Sequence, residues 1–186
     1  MSPIRVDAAI VEPVTLADMR AHLRLDPDNT AEDGLVEGLI ASARAMVELA
    51  TRRILVPGRY RVMLTAWPRD GFVPLPLSPL VALASAGSVD ATGTGTAFAP
   101  GLVRLAPDMV EAPGLIVSPS LPALYRTAAL IEVDAGYGGA GPPVPPALVQ
   151  AIRLVAAHGF EHRGDLPVAL TPMVEALIAP HRRMRL

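Results

Sequence analysis

Apolar positions along the chain follow a helical period at both ends and a period of two in the middle. Leu16, Met19 and Leu23 recur at helical spacing. They follow Thr15 and Asp18, placed as in a capping box, while Val14 and Met19 are placed as in a hydrophobic staple. A short helix is predicted over residues 16–23. Residues 26–29 read as a turn, after which Thr30 offers an N-cap and Glu32 and Asp33 offer first-turn acids for a second helix. Its apolar set is Leu35, Val36, Leu39, Ile40, Ala43, Met46, Val47 and Ala50, the spacing of one buried face, and it runs to about Arg52. Arg44, Glu48 and Arg52 line the other side. A Glu48–Arg52 pair supplies only about 0.3 kcal/mol, so burial of the apolar stripe must hold the helix. Pro57 and Gly58 close the helical stretch.

From Arg59 onward Tyr60, Val62, Leu64 and Ala66 alternate with Arg59, Arg61, Met63 and Thr65, as on a half-buried strand. Pro and Gly then punctuate runs at 73–77, 81–89, 102–105 and 115–117, each too short for a helix. A last strand near 129–135 places Ile131 and Val133 on one face and Glu132 and Asp134 on the other. Residues 90–96, with Gly93 and Gly95, read as a loop tip. Helical spacing returns after Pro145 and Pro146, with Leu148, Val149, Ile152, Val155, Ala156 and Phe160 as the next stripe, ending near Arg163 and Gly164. Thr171 and Pro172 open a final short helix that buries Val174, Leu177 and Ile178 and stops before Pro180. The expected fold is therefore mainly α with a β-rich insertion (α+β). The N- and C-terminal helices, in 1–58 and 136–186, form a four-helix core, and residues 59–135 form the insertion.

Composition narrows the function classes. The chain has 186 residues, no cysteine and a net charge of −2. Disulfides, thiolate metal sites and a cysteine nucleophile are excluded, and the basic excess of a dedicated nucleic-acid binder is missing. No apolar run reaches the roughly 20 residues of a membrane span. Arg5 and Asp7 interrupt the place where a signal peptide needs apolar residues, so a soluble, non-exported protein is expected.

Two motifs carry apparent chemistry. Gly136, Gly138 and Gly141 satisfy G-x-G-x-x-G after a strand, the spacing that brings backbone amides to a pyrophosphate. However, Pro142, Pro143, Pro145 and Pro146 delay the helix that such a site needs and remove donors, which leaves a turn. His158, Glu161 and His162 match H-x-x-E-H, in which two histidines one helical turn apart hold zinc and the glutamate activates water. A third ligand is needed, with only Asp165, Glu175 and His181 downstream. A small metal-dependent hydrolase on His158, Glu161 and His162 is thus one alternative. Another is a DNA-binding regulator using the paired N-terminal helices, although the second helix shows a mixed-charge face where recognition needs exposed arginines. Glu132 and Asp134 have no evident matching partner and read as a solvated face. Arg182, Arg183 and Arg185 make the tail basic and suit contact with a protein surface.

Several segments together resemble the phage head-tail connector or adaptor proteins, including those of gene transfer agents. They are residues 13–26 (PVTLADMRAHLRLD), the acidic turn and helix 32–52, 73–80 (VPLPLSPL), 131–138 (IEVDAGYG), 144–148 (VPPAL) and 160–165 (FEHRGD). Their order and spacing carry the likeness over nearly the whole chain, with departures in the aromatic-poor insertion and at His181. The resemblance implies a non-enzymatic virion subunit without cofactors. It forms a homo-oligomeric ring, usually of twelve, between the portal protein and a tail-side connector or stopper. The ring surrounds the DNA channel in the neck of a particle assembled in the bacterial cytoplasm. The last helix and the tail (His181, Arg182, Arg183, Met184, Arg185 and Leu186) are expected to bind the portal. Deleting 181–186 should then abolish attachment and leave the fold intact.

Overall fold

Residues 2–7, 11–26, 28–162 and 170–183 are described by a computed structural model of the chain. The architecture is mixed α+β, with four α-helices and two antiparallel sheets. Two compact units divide it: Met1–Ile10 with Val56–Pro142, and Val11–Leu55 with Pro143–Leu186.

The first unit carries the sheets. Strands β1 (Ile4–Arg5), β2 (Gly58–Leu64), β4 (Leu80–Asp90), β5 (Gly95–Ala97) and β8 (Thr127–Ala135) form a five-stranded sheet in the order β1-β2-β8-β4-β5. Strands β3 (Phe72–Pro74), β6 (Val103–Leu105) and β7 (Gly114–Val117) form a three-stranded sheet in the order β3-β7-β6. The period-two reading of β2 and β8 holds: Val62, Ala129, Ile131, Val133 and Ala135 are buried, while Arg59, Arg61 and Met63 are exposed.

Glu132 and Asp134, read as unmatched, do have partners. The register sets Arg59 opposite Asp134 and Arg61 opposite Glu132. Arg59 donates to Asp134 through Nε at 2.8 Å, and Arg61 to Glu132 through Nη2 at 2.8 Å. Such exposed cross-strand pairs fix register more than they add stability.

The tip after β4 is shorter than expected, because β5 begins at Gly95 and pairs back on β4. Asp90 organises what remains, its Oδ1 accepting from the Thr92 and Thr94 amides and the Thr92 hydroxyl. These bonds, that from the Thr92 hydroxyl foremost, hold the Asp90 carboxyl below its usual range. In the second sheet Val73, Leu75 and Leu77 are buried while Pro74 and Pro76 face outward. The prolines have no N–H to donate, so β3 is brief and lies at a sheet edge.

The second unit carries the helices. Helix α1 (Leu16–Leu23) is capped as its sequence predicts: Thr15 Oγ1 accepts from the Asp18 amide at 3.0 Å, and Val14 and Met19 are both fully buried. Helix α2 (Asp33–Thr51) starts later than Thr30, which contributes its carbonyl rather than its hydroxyl, accepting from the Asp33 amide. Arg20 ties the two helices together by pairing with Asp33 and donating to the Asp26 and Asn29 carbonyls. Along α2, Val36, Ile40, Ala43, Val47 and Thr51 are buried. Leu35, placed by its spacing on the apolar face, instead points outward with 42% of its surface exposed.

Helix α3 (Pro146–Glu161) buries Leu148, Ala151, Ile152, Val155 and Ala156 and packs on α2 and on α4 (Pro172–Ile178). A Cβ at Gly159 would lie 2.8 Å from Leu39 Cδ2, so the glycine admits a close helix approach. Thr171 caps α4, and a single 3-10 turn, Ala179–His181, follows it.

Glu48 does not pair with Arg52. Arg52 is the left-handed C-cap of α2, and Glu48 instead accepts from Arg44 Nη1 at 2.7 Å and from the Leu55 amide at 2.7 Å. Arg44 also donates to Glu12 at 2.8 Å. Leu55 is 1% exposed, so its amide has no ready access to water if Glu48 is truncated. A buried donor left without an acceptor costs about 1–3 kcal/mol. Glu48→Ala is therefore expected to lower unfolding stability by about 2 kcal/mol in a urea titration, against less than about 0.5 kcal/mol for the exposed Glu37→Ala.

Candidate functional site

The two chemical motifs resolve into structure. In the glycine run Gly136, Gly138 and Gly139 have φ of +113°, +80° and +59°, a path that favours residues without a Cβ. The amides a phosphate would need are already used: Gly136 N donates to Pro79 O, Gly138 N to Pro142 O, and Gly141 N to Gly138 O. The three motif glycines thus spend their amides within the chain, in a turn.

His158 and His162 sit at the end of α3 with their rings stacked, centroids 4.2 Å apart. His162 Nδ1 lies 3.1 Å from the His158 carbonyl oxygen. A zinc site would also need at least one more protein ligand. Glu161 is exposed beside them. Among the described residues no group of three or more His, Asp or Glu could hold a metal ion. Asp165, together with Arg163 and Gly164, lies outside the described residues.

The basic tail has an ordered root. His181 ends the 3-10 turn, and its carbonyl accepts from Arg53 Nε at 3.1 Å. Arg183 N donates to Thr51 O at 3.0 Å, and Arg182 pairs with Glu175 on α4. Thr51 in turn caps the end of α2, its hydroxyl donating to Val47 O and accepting from Arg53 N. Arg53 is only 4% exposed, so the backbone of 181–183 is part of the helical unit's structure. Met184, Arg185 and Leu186 lie outside the described residues. Sequence reasoning missed Arg53 because its contact spans 128 positions. The only local hint is an arginine directly after a helix end, where it could also have capped carbonyls.

Among the described residues, then, the two motifs lie in a glycine turn and at a helix end. Comparison with known proteins is more specific. Residues 13–78 match the phage gp6-like head-tail connector protein family. The whole chain is similar to a chain in the neck of an empty gene transfer agent particle, computed with C6 symmetry, with 32% identity, TM-score 0.85, and coverage of 100% of this chain and 97% of that one. A chain of the native gene transfer agent virion gives 33% identity and TM-score 0.83 at the same coverage. One from the native neck, computed with C12 symmetry, gives 30% and 0.79, again over 100% and 97%. No curated protein matches the chain. The chain belongs to the phage head-tail connector family.

The glycine turn gives a direct test of its structural role. A Cβ at Gly136 would stand 2.3 Å from Val56 O, whereas at Gly93, also at positive φ, it would meet nothing within 4 Å. Gly136→Ala should cost about 3 kcal/mol or more and Gly93→Ala about 1 kcal/mol, measured as shifts in urea midpoint.

Proposed function

We propose that this protein is a structural adaptor of the virion neck, acting by assembly and not by catalysis. The observation that carries this is the full-length likeness to neck proteins of gene transfer agent particles, at 32% identity over 97% of the relative's length. Copies form a ring, in keeping with the C6 and C12 symmetry of those necks, and twelve is the natural number. The ring joins the portal protein on one side to a tail-side connector or stopper on the other and surrounds the DNA channel. A net charge of −2 suits a lumen through which DNA passes without being gripped.

In this reading the N- and C-terminal helices act as a four-helix core, and the β-rich segment 59–135 is an insertion that offers contact surface. The tail is the portal-binding element, comprising His181, Arg182, Arg183, Met184, Arg185 and Leu186. The ordered root at 181–183 changes how it must be tested. Removing His181 takes an acceptor from the Arg53 guanidinium, and a lost hydrogen bond to a buried charged group costs about 1–3 kcal/mol. The deletion that separates docking from folding starts at Met184.

Electron microscopy of the protein mixed with its portal should show rings or collars on the portal; free subunits beside bare portals would remove the adaptor assignment. Loss of residues 184–186 should leave the thermal midpoint within about 2 °C of the full chain while abolishing portal attachment. Deletion from His181 should lower the midpoint as well. Attachment that survives the shorter deletion would overturn the tail's role.

A further inference from the structure

The helical unit leaves one face of α2 uncovered. Val36, Ile40, Ala43, Val47 and Thr51 form its buried side. On the other side Leu35, Gly38, Ser42, Ala45 and Leu49 are all exposed, at alternating spacings of three and four, which sets them in one line along the helix. The line is about 21 Å long and carries no charge. The charged residues of α2 stand off it: Arg44 and Glu48 are paired with each other, Asp33 is paired with Arg20, and the exposed Glu37 lies about a third of a turn around the helix from the line. Leu35 is 42% and Leu49 82% exposed, so large apolar side chains stand in solvent at both ends of a strip of small ones.

Two further features of this helix have no explanation within the subunit. Gly34 and Gly38 lie inside it, where glycine is the least favourable residue after proline. Yet a Cβ at either would meet nothing within 4 Å, so no contact among the described residues requires their smallness. An apolar line of this composition fits a second surface that approaches the helix backbone closely.

We infer that the outward face of α2, from Leu35 to Leu49, is where a second copy of this chain packs in the ring. The inference rests on the ring reading above and adds the surface. The occupant follows from the C6 and C12 symmetry of necks whose chains match this one end to end. A closed ring of more than two copies repeats one head-to-tail contact, so every subunit offers its neighbour the same surface. DNA is a poor occupant, because the line has no arginine to meet phosphate. Charge-depleted centres with polar margins are the composition of protein interfaces.

The chain contains no cysteine, so Ser42→Cys introduces a single thiol in the middle of the line. Its maleimide labelling is compared in the free subunit and in rings, formed alone or on the portal. Labelling should be at least tenfold slower in rings, and an unchanged rate in rings overturns the inference while leaving the ring intact. Leu49→Glu, whose side chain is exposed in the subunit, should keep the subunit's thermal midpoint and lose ring formation; rings of the folded variant also overturn it. If the unmodified chain gives no rings with or without portal, the ring reading itself fails and this inference falls with it. A Leu49→Glu chain that does not fold shows that Leu49 serves the subunit, and the labelling result on Ser42→Cys then decides alone.

Discussion

Strand β8 is paired along both its edges, with β2 on one side and β4 on the other. The β unit depends on this. Residues 58–64 meet 129–135 across a sequence gap of about seventy positions, and nothing local can make that pairing form. It is driven by a face of small aliphatic side chains, Val62, Ala129, Ile131 and Val133, each fully buried. Once β2 and β8 are aligned, everything between them is constrained to leave and return at one end of the sheet. The three-stranded sheet and the β4–β5 hairpin lie within that loop, and β4, the longest strand, pairs along β8 from Leu80 to Asp90.

The helical unit is closed by a different device. The end of α2 is a point where distant chain segments exchange hydrogen bonds. Glu48 serves Arg44 and the Leu55 amide, Thr51 serves Val47 and Arg53, and Arg53 reaches the His181 carbonyl. The Thr51 carbonyl, one of those the end of a helix leaves open, accepts from the Arg183 amide, which together with Arg53 brings in the segment 181–183. Tail and helix end therefore fold together.

How much of this was legible depended on how local its cause is. Helix α1 is written out by Thr15, Asp18, Val14 and Met19, all within six residues, and its bounds follow from them. Alternation exposed β2 and β8 because each is long enough to repeat. Strands β1 and β5, of two and three residues, have no period of their own and exist only because a neighbour is there to pair with. The partners of Glu132 and Asp134 were hidden for the same reason, since Arg59 and Arg61 lie more than seventy positions away. Leu35 was misplaced because spacing says which residues share a face but not how wide a neighbour covers it. The family resemblance was readable where the local patterns were weakest, because it rests on the order of segments and not on any one of them.

The decoy motifs show why a site must be argued from the bonds its atoms make. The glycine run has the composition of a phosphate cradle, but a cradle needs amides that point at empty space, and these point at Pro79, Pro142 and Gly138 carbonyls. The histidines have the spacing of a zinc pair, but their rings are stacked face to face, and among the described residues no third ligand joins them. In both cases the side chains or amides are committed to their own local structure. What the chain leaves uncommitted is apolar surface: an outward helix face with leucines at both ends, and Met173, Met63 and Tyr125 standing in solvent. Exposed apolar side chains of that kind are what contacts between proteins use. That distribution, more than any motif, fits a neck component.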